Sequence, residues 1–180
     1  MSERARWSAA VGRTLRAHVR LCCALLLAGS AVASSAARAE TRDSMTGPVV
    51  ATASPTTIHQ EIDMTASPDR IYDALLDAKQ FGALTGLPTE IAGGVGGAFS
   101  CFGGHIVGRN VELVPKRRIV QAWRVADWPE GTYSIARFEL KPQQAGTRVI
   151  FDHTGFPPGL RDHLAEGWED HYWKALRTLK

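Results

Sequence analysis

His153 lies in a stretch, residues 146–154 (GTRVIFDHT), that alternates strictly. Val149, Phe151 and His153 share one side, and Arg148, Ile150 and Asp152 the other. An imidazole on the apolar side of a strand can act as a general acid or base near neutral pH, or as a polar contact for a bound molecule. It can equally be a core histidine hydrogen-bonded to a neighbour. Tyr172 is a second ionisable group in apolar surroundings. Cys101, between Ser100 and Phe102, is either a nucleophile or buried filler. His163 and His171 are eight residues apart, about 12 Å along a helix, too far for one metal ion. With no H-E-x-x-H or C-x-x-C spacing, neither metal nor cofactor is expected. Residues 93–104 contain six glycines, but no Lys-Ser/Thr and no helix follows, so a phosphate-binding loop is not implied. No Ser/His/Asp set is evident.

The pattern around these residues predicts the elements that place them. Residues 57–64 (TIHQEIDM) alternate as a half-buried strand. Ser67-Pro68 reads as an N-cap with proline in the first turn, opening a helix with Ile71, Tyr72, Leu75 and Leu76 on one stripe. A second short helix is expected over 77–84, stopped by Gly86 and Pro88. The glycines of 93–104 then serve turns and bulges. Strands are expected over 105–114, 118–124, 132–142 and 146–154, with connections short enough for an antiparallel meander. Residues 160–180 carry a helical stripe of Leu164, Trp168, Tyr172, Ala175, Leu176 and Leu179. The predicted class is therefore α+β, a curved antiparallel sheet around a long C-terminal helix, with two short helices after the first strand. Such a sheet and helix leave a space between them where a ligand fits.

Charge is distributed unevenly. The chain of 180 residues carries a formal +3, which by itself invites a nucleic-acid or membrane-surface partner. Six arginines stand before residue 40, opposed only by Glu3. An apolar run over 21–33, too short for a bilayer-spanning helix, and Ala37-Arg38-Ala39 complete the pattern of a secretory signal peptide over 1–39. Removal after Ala39 leaves 141 residues at −2, with Cys101 the one cysteine and no internal disulfide. Residues 40–56 read as a flexible linker and 57–180 as the folded domain. The expected location is periplasmic or secreted, or cytoplasmic if Met45 is the true start. Lys116, Arg117 and Arg118 sit at a turn without interleaved aromatic residues, so no nucleic-acid partner is expected. Stable membrane insertion after removal of the leader is not expected either.

From Thr57 to Lys180 the chain resembles the START/Bet v 1-like (SRPBCC) superfamily, in the branch named for the C-terminal domain of the activator of heat-shock-protein-90 ATPase. The resemblance rests on Ser67-Pro68-x-x-Ile71-Tyr72-x-Ala74-Leu75 and on Gly96-Gly97-Ala98-Phe99 leading to Gly103-Gly104-His105-Ile106-x-Gly108. The most specific piece is Glu112-Leu113-Val114-Pro115-x-x-Arg118-Ile119-Val120-Gln121-x-Trp123-Arg124. Trp128-Pro129, Phe138-Glu139-Leu140, Gly146-Thr147-Arg148, His153-Thr154-Gly155-Phe156-Pro157, Gly167-Trp168 and Trp173 follow in order. The resemblance implies a helix-grip fold with an internal cavity. Members bind hydrophobic small molecules, catalyse cyclase-type reactions or bind a chaperone, so the fold leaves the function open.

The expected binding wall comprises Trp123 and Gln121 on the middle strand, Phe138 (or Ile135) on the next, Phe151 and His153 on the last, and Trp168 and Tyr172 on the helix. An apolar, tryptophan-rich wall suits a flat hydrophobic or aromatic molecule held without chemistry. One alternative is a cyclase or dehydratase using His153 or Tyr172. Another is a chaperone cofactor, which export argues against and a start at Met45 would revive.

Overall fold

The computed structural model describes residues 55–180. The expected leader, and the expected linker up to residue 54, lie outside the described residues. Among the described residues no helix is long and apolar enough to cross a membrane.

Strand β1 (Thr57–Met64) buries Ile58, Ile62 and Met64, as its alternation requires. Helix α1 (Pro68–Leu76) follows, with the Ser67 hydroxyl accepting from the Arg70 amide at 3.3 Å and Pro68 in the first turn. Ile71, Ala74 and Leu75 form its buried stripe. Asp77 ends α1 and caps α2 (Ala78–Thr85), its carboxylate accepting from the Gln80 amide at 2.7 Å. Gly86, at φ 68°, closes α2 in the left-handed conformation that costs glycine little.

Two short strands that the sequence pattern did not announce follow, β2 (Glu90–Ile91) just before the glycine-rich region and β3 (Ala98–Cys101) within it. β4 (Ile106–Val114), β5 (Arg118–Val125), β6 (Ser134–Gln143) and β7 (Gly146–Thr154) then form the meander. The seven strands among the described residues make one antiparallel sheet in the order β1-β7-β6-β5-β4-β3-β2. β1 pairs with β7 along its whole length, from Thr57 opposite Thr154 to Met64 opposite Thr147. The first strand is therefore completed by the last. A register shift between Asn110 and Glu112 marks a bulge in β4, which bends the sheet. Gly108, just before it, is required by close approach. A Cβ there would lie 2.2 Å from the Ala122 carbonyl oxygen and 2.4 Å from the Phe99 ring.

The C-terminal rod changes pitch. It begins as α3 (Arg161–Gly167), becomes a π-helix over Trp168–Trp173 and ends in the short α4 (Lys174–Leu176). A regular α-helix was the expectation. In an α-helix residues 168 and 173 point well apart; the wider i→i+5 turn brings Trp168, Tyr172 and Trp173 all inward. The chain end is tied down where the Thr65 hydroxyl donates to the Leu179 carbonyl at 3.3 Å.

The inner face of the sheet carries Ile119, Trp123, Ala136, Phe138, Leu140, Val149 and Phe151, all nearly inaccessible to solvent. The outer face carries paired charges: Arg148 with Glu61 and Asp63, and His59 with Asp152. Ile135, the alternative to Phe138 in the expected wall, lies on that outer face and is 41% exposed. Strand parity decides this, since Ala136 and Phe138 point inward and Ile135 therefore outward.

Candidate functional site

The seven residues expected to form the wall converge between the sheet and the C-terminal rod. Trp123, Gln121, Phe138, Phe151, His153, Trp168 and Tyr172 are all buried. Strand pairing places Gln121 opposite Ala136 and Ala136 opposite His153, so β5, β6 and β7 present one continuous inner row. Trp168 is the hub. Its ring centroid lies 4.2 Å from Tyr172, 4.3 Å from Phe151, 5.5 Å from Trp123, 5.5 Å from His153 and 5.8 Å from Phe138. At these separations aromatic rings touch. The space expected between sheet and helix is thus occupied, at these residues, by their own side chains.

His153 stands in a hydrogen-bonded chain whose direction is set by chemistry. An indole nitrogen can only donate, so Trp168 Nε1–H donates to His153 Nδ1 at 3.0 Å. His153 is then the Nε2–H tautomer and donates to Ser134 Oγ at 2.7 Å. Ser134 in turn donates to the Trp123 carbonyl at 2.9 Å. Burial pushes the imidazole down to about 3. A proton on Nδ1 would also face the Trp168 N–H, donor against donor. The side chain is neutral at physiological pH with both nitrogens engaged, which is the geometry of a hydrogen-bonded core histidine rather than an acid–base catalyst.

Tyr172 is held similarly. Trp123 Nε1–H donates to its hydroxyl at 3.4 Å, and burial raises the phenol well above its ordinary value. Cys101 is buried, and burial pushes its thiol up to about 12, so it carries no appreciable thiolate. Gln121 looks toward the glycine-rich segment: its amide donates to Asn110 Oδ1 at 3.0 Å, and Asn110 donates to the Ala92 and Gly94 carbonyls, each at 3.4 Å. His163 and His171 each lie within electrostatic reach of His105, whose imidazole is lowered chiefly by burial. Among the described residues no three His, Cys, Asp or Glu side chains are placed to hold a metal ion.

Several participants were not among the expected wall. Trp173 packs 5.1 Å from Phe151 and donates from Nε1 to Gln60 Oε1 at 2.8 Å. The α-helical stripe hid it, because only the π turn rotates it inward. Ser134 had a signal, since strand parity puts it on the same face as Ala136 and Phe138. Phe81 from α2 and Phe102 from the β3–β4 turn close the Tyr172 end, with centroids 5.4 and 5.2 Å from that ring. Phe102 has φ 54°, a left-handed conformation rare for an aromatic residue. Turn residues carry no periodic signal that would announce such a position.

A bent antiparallel sheet closed on a C-terminal helix, with an aromatic interior and one neutral histidine, defines a helix-grip domain. Residues 65–179 match the family described as "Activator of Hsp90 ATPase homolog 1-like protein", and the chain belongs to that family. It is 25% identical over 111 residues to the human activator of 90 kDa heat shock protein ATPase homolog 1, covering 62% of this chain and 33% of that protein. It is 31% identical over 114 residues to the activator homolog of Dictyostelium discoideum, covering 63% and 30%. The chain thus spans about a third of the length of these relatives. An HSP90 activator from Plasmodium falciparum shares the fold at TM-score 0.65 and 24% identity, over 68% of this chain and 94% of that one. The Aha1 dimer from Colwellia psychrerythraea does so at TM-score 0.57 and 22% identity, over 68% and 95%.

Proposed function

We propose that the protein is a non-catalytic binding module that takes a flat apolar or aromatic molecule between the sheet and the C-terminal helix, at the Tyr172 end. One observation carries this reading: two backbone irregularities converge on the Tyr172 ring. The π-helical turn that presents Tyr172 is of a kind often found at functional sites. The left-handed Phe102 that covers it stores about 1–2 kcal/mol of strain. Because the rings are in contact, binding requires Phe81 and Phe102 to part from Tyr172, and release of that strain offsets some of the cost. The neutral, fully bonded His153 favours binding over acid–base chemistry. Tryptophan fluorescence and native mass spectrometry against a panel of aromatic metabolites and lipids test the reading. Saturable quenching with a matching mass is expected. No binder in the panel and no co-purified mass would refute it.

The Arg-rich start, the apolar run over 21–33 and Ala37-Arg38-Ala39 support an exported protein. The N-terminus of the protein isolated from its native cells is expected at Glu40, and an N-terminus at Met45 would overturn export. A second reading is carried by the names of the relatives, which are activators of a heat-shock ATPase. It makes this domain a chaperone cofactor, and stimulation of an Hsp90-type ATPase by the purified protein tests it. No stimulation and no co-purification would refute it.

A further inference from the structure

The three consecutive cations at the β4–β5 turn do not act alike. Lys116 has φ 62° and points to α1, where its ammonium meets Asp69 at 2.7 Å. Arg118 turns onto the outer face of the sheet and pairs with Glu112. Arg117, between them, is exposed, and its guanidinium makes no ion pair with any described residue. It lines a cleft of about 330 Å³ together with Val114, Arg118, Glu139, Leu140, Lys141 and Pro142.

The cleft has a structural origin. β6 runs past the start of β5: the Leu140 amide donates to the Arg117 carbonyl at 2.8 Å, and beyond it Lys141, Pro142 and Gln143 pair only with β7. The notch left beside the turn has Val114 and Pro142 as its apolar part and three cations around it, and Leu140, buried on the inner face of the sheet, forms its floor. Its one carboxylate, Glu139, is shared among Arg137, Lys141 at 3.1 Å and Arg118 at 3.9 Å. Arg117, Arg118 and Lys141 against Glu139 leave the lining at +2. Adjacent Arg137 and Glu112 cancel one another. No lining residue belongs to the aromatic grip.

We propose that this cleft is a binding site for a small phosphate monoester carrying a short apolar group. A dianion matches the excess charge, the free guanidinium fork of Arg117 suits two phosphate oxygens, and the apolar part receives the attached group. The site is independent of the aromatic interior, so it stands or falls apart from the function proposed above.

The probe is phenyl phosphate, titrated into the purified protein and followed by calorimetry and by the amide resonances of Val114, Arg118 and Leu140. Saturable binding with shifts at those amides is expected. Arg117→Gln weakens it about tenfold, whereas Lys116→Gln, whose ammonium is already spent on Asp69, changes it less than twofold. Glu139→Gln removes the opposing carboxylate and tightens binding. Benzoate, a monoanion of similar shape, binds about tenfold more weakly. The thermal midpoint of Arg117→Gln stays at the parent value, because that side chain makes no ion pair to lose. Absence of saturation, equal effects of the Arg117 and Lys116 substitutions, or equal binding of benzoate would each overturn the proposal.

Discussion

Acidification from pH 7 to pH 4.5 isolates the buried histidine. His153 titrates near 3 in the fold because burial disfavours its cation, against 6.5 for an unperturbed imidazole. Above pH 6.5 both folded and unfolded chains hold it neutral, and it contributes no pH dependence. Below 6.5 the unfolded chain takes up a proton that the folded chain refuses, so stability falls as pH falls toward 3. The slope approaches about 1.4 kcal/mol per pH unit for one proton, or a loss of about 2.5 kcal/mol by pH 4.5. Urea unfolding of the parent and of His153→Gln at a series of pH values measures it. Glutamine does not titrate, and its amide can accept from Trp168 and donate to Ser134. Other groups titrate over the same range: Asp63, Glu139 and Asp170 are lowered by their cationic partners, and His59 is raised by Asp152. They are common to both proteins and cancel in the difference. The rings and hydroxyl around His153 (Trp123, Phe151, Phe156, Trp168 and Ser134) include no group that titrates in this range. The parent is expected to lose about 2.5 kcal/mol relative to the variant between pH 7 and pH 4.5. Parallel curves would show that His153 is protonated in place or reaches solvent, and would refute the neutral Nε2–H tautomer.

Trp168→Ala removes the ring on which the helix-to-sheet contact centres and is expected to cost about 3–5 kcal/mol in chemical unfolding; a loss below about 1 kcal/mol would mean that the interior collapses around it. Gly108→Ala places a methyl group 2.2 Å from a backbone oxygen, and a loss of about 1–3 kcal/mol is expected from the strand shift it forces. An unchanged midpoint would show that β4 has room there. The Cys101 thiol, buried and pushed up to about 12, is expected to resist Ellman's reagent at pH 8 in the folded protein and to react fully in denaturant. Rapid labelling of the native protein would contradict its burial.

Alternation in residues 57–64 and 146–154 marked β1 and β7 to the residue. The Ser67-Pro68 signal marked the start of α1, because a capping side chain acts on amides two or three positions away. β2 and β3 lay beyond such signals, since strands of two and four residues are too short for periodicity to show. The pitch of the C-terminal rod was also out of reach. A π turn is unfavourable in isolation and persists here where it brings Trp168, Tyr172 and Trp173 together into the sheet's concavity.

What the sequence determined alone is local: which face of each strand is apolar, where helices can start, and which seven residues face a common interior. Only the tertiary structure decided how that interior is used. Whether rings touch, which nitrogen of His153 carries the proton and which cation at the β4–β5 turn stays unpaired all depend on contacts between residues far apart in the chain. Such contacts form when the sheet bends and the helix docks, and periods of two or 3.6 residues hold no record of them.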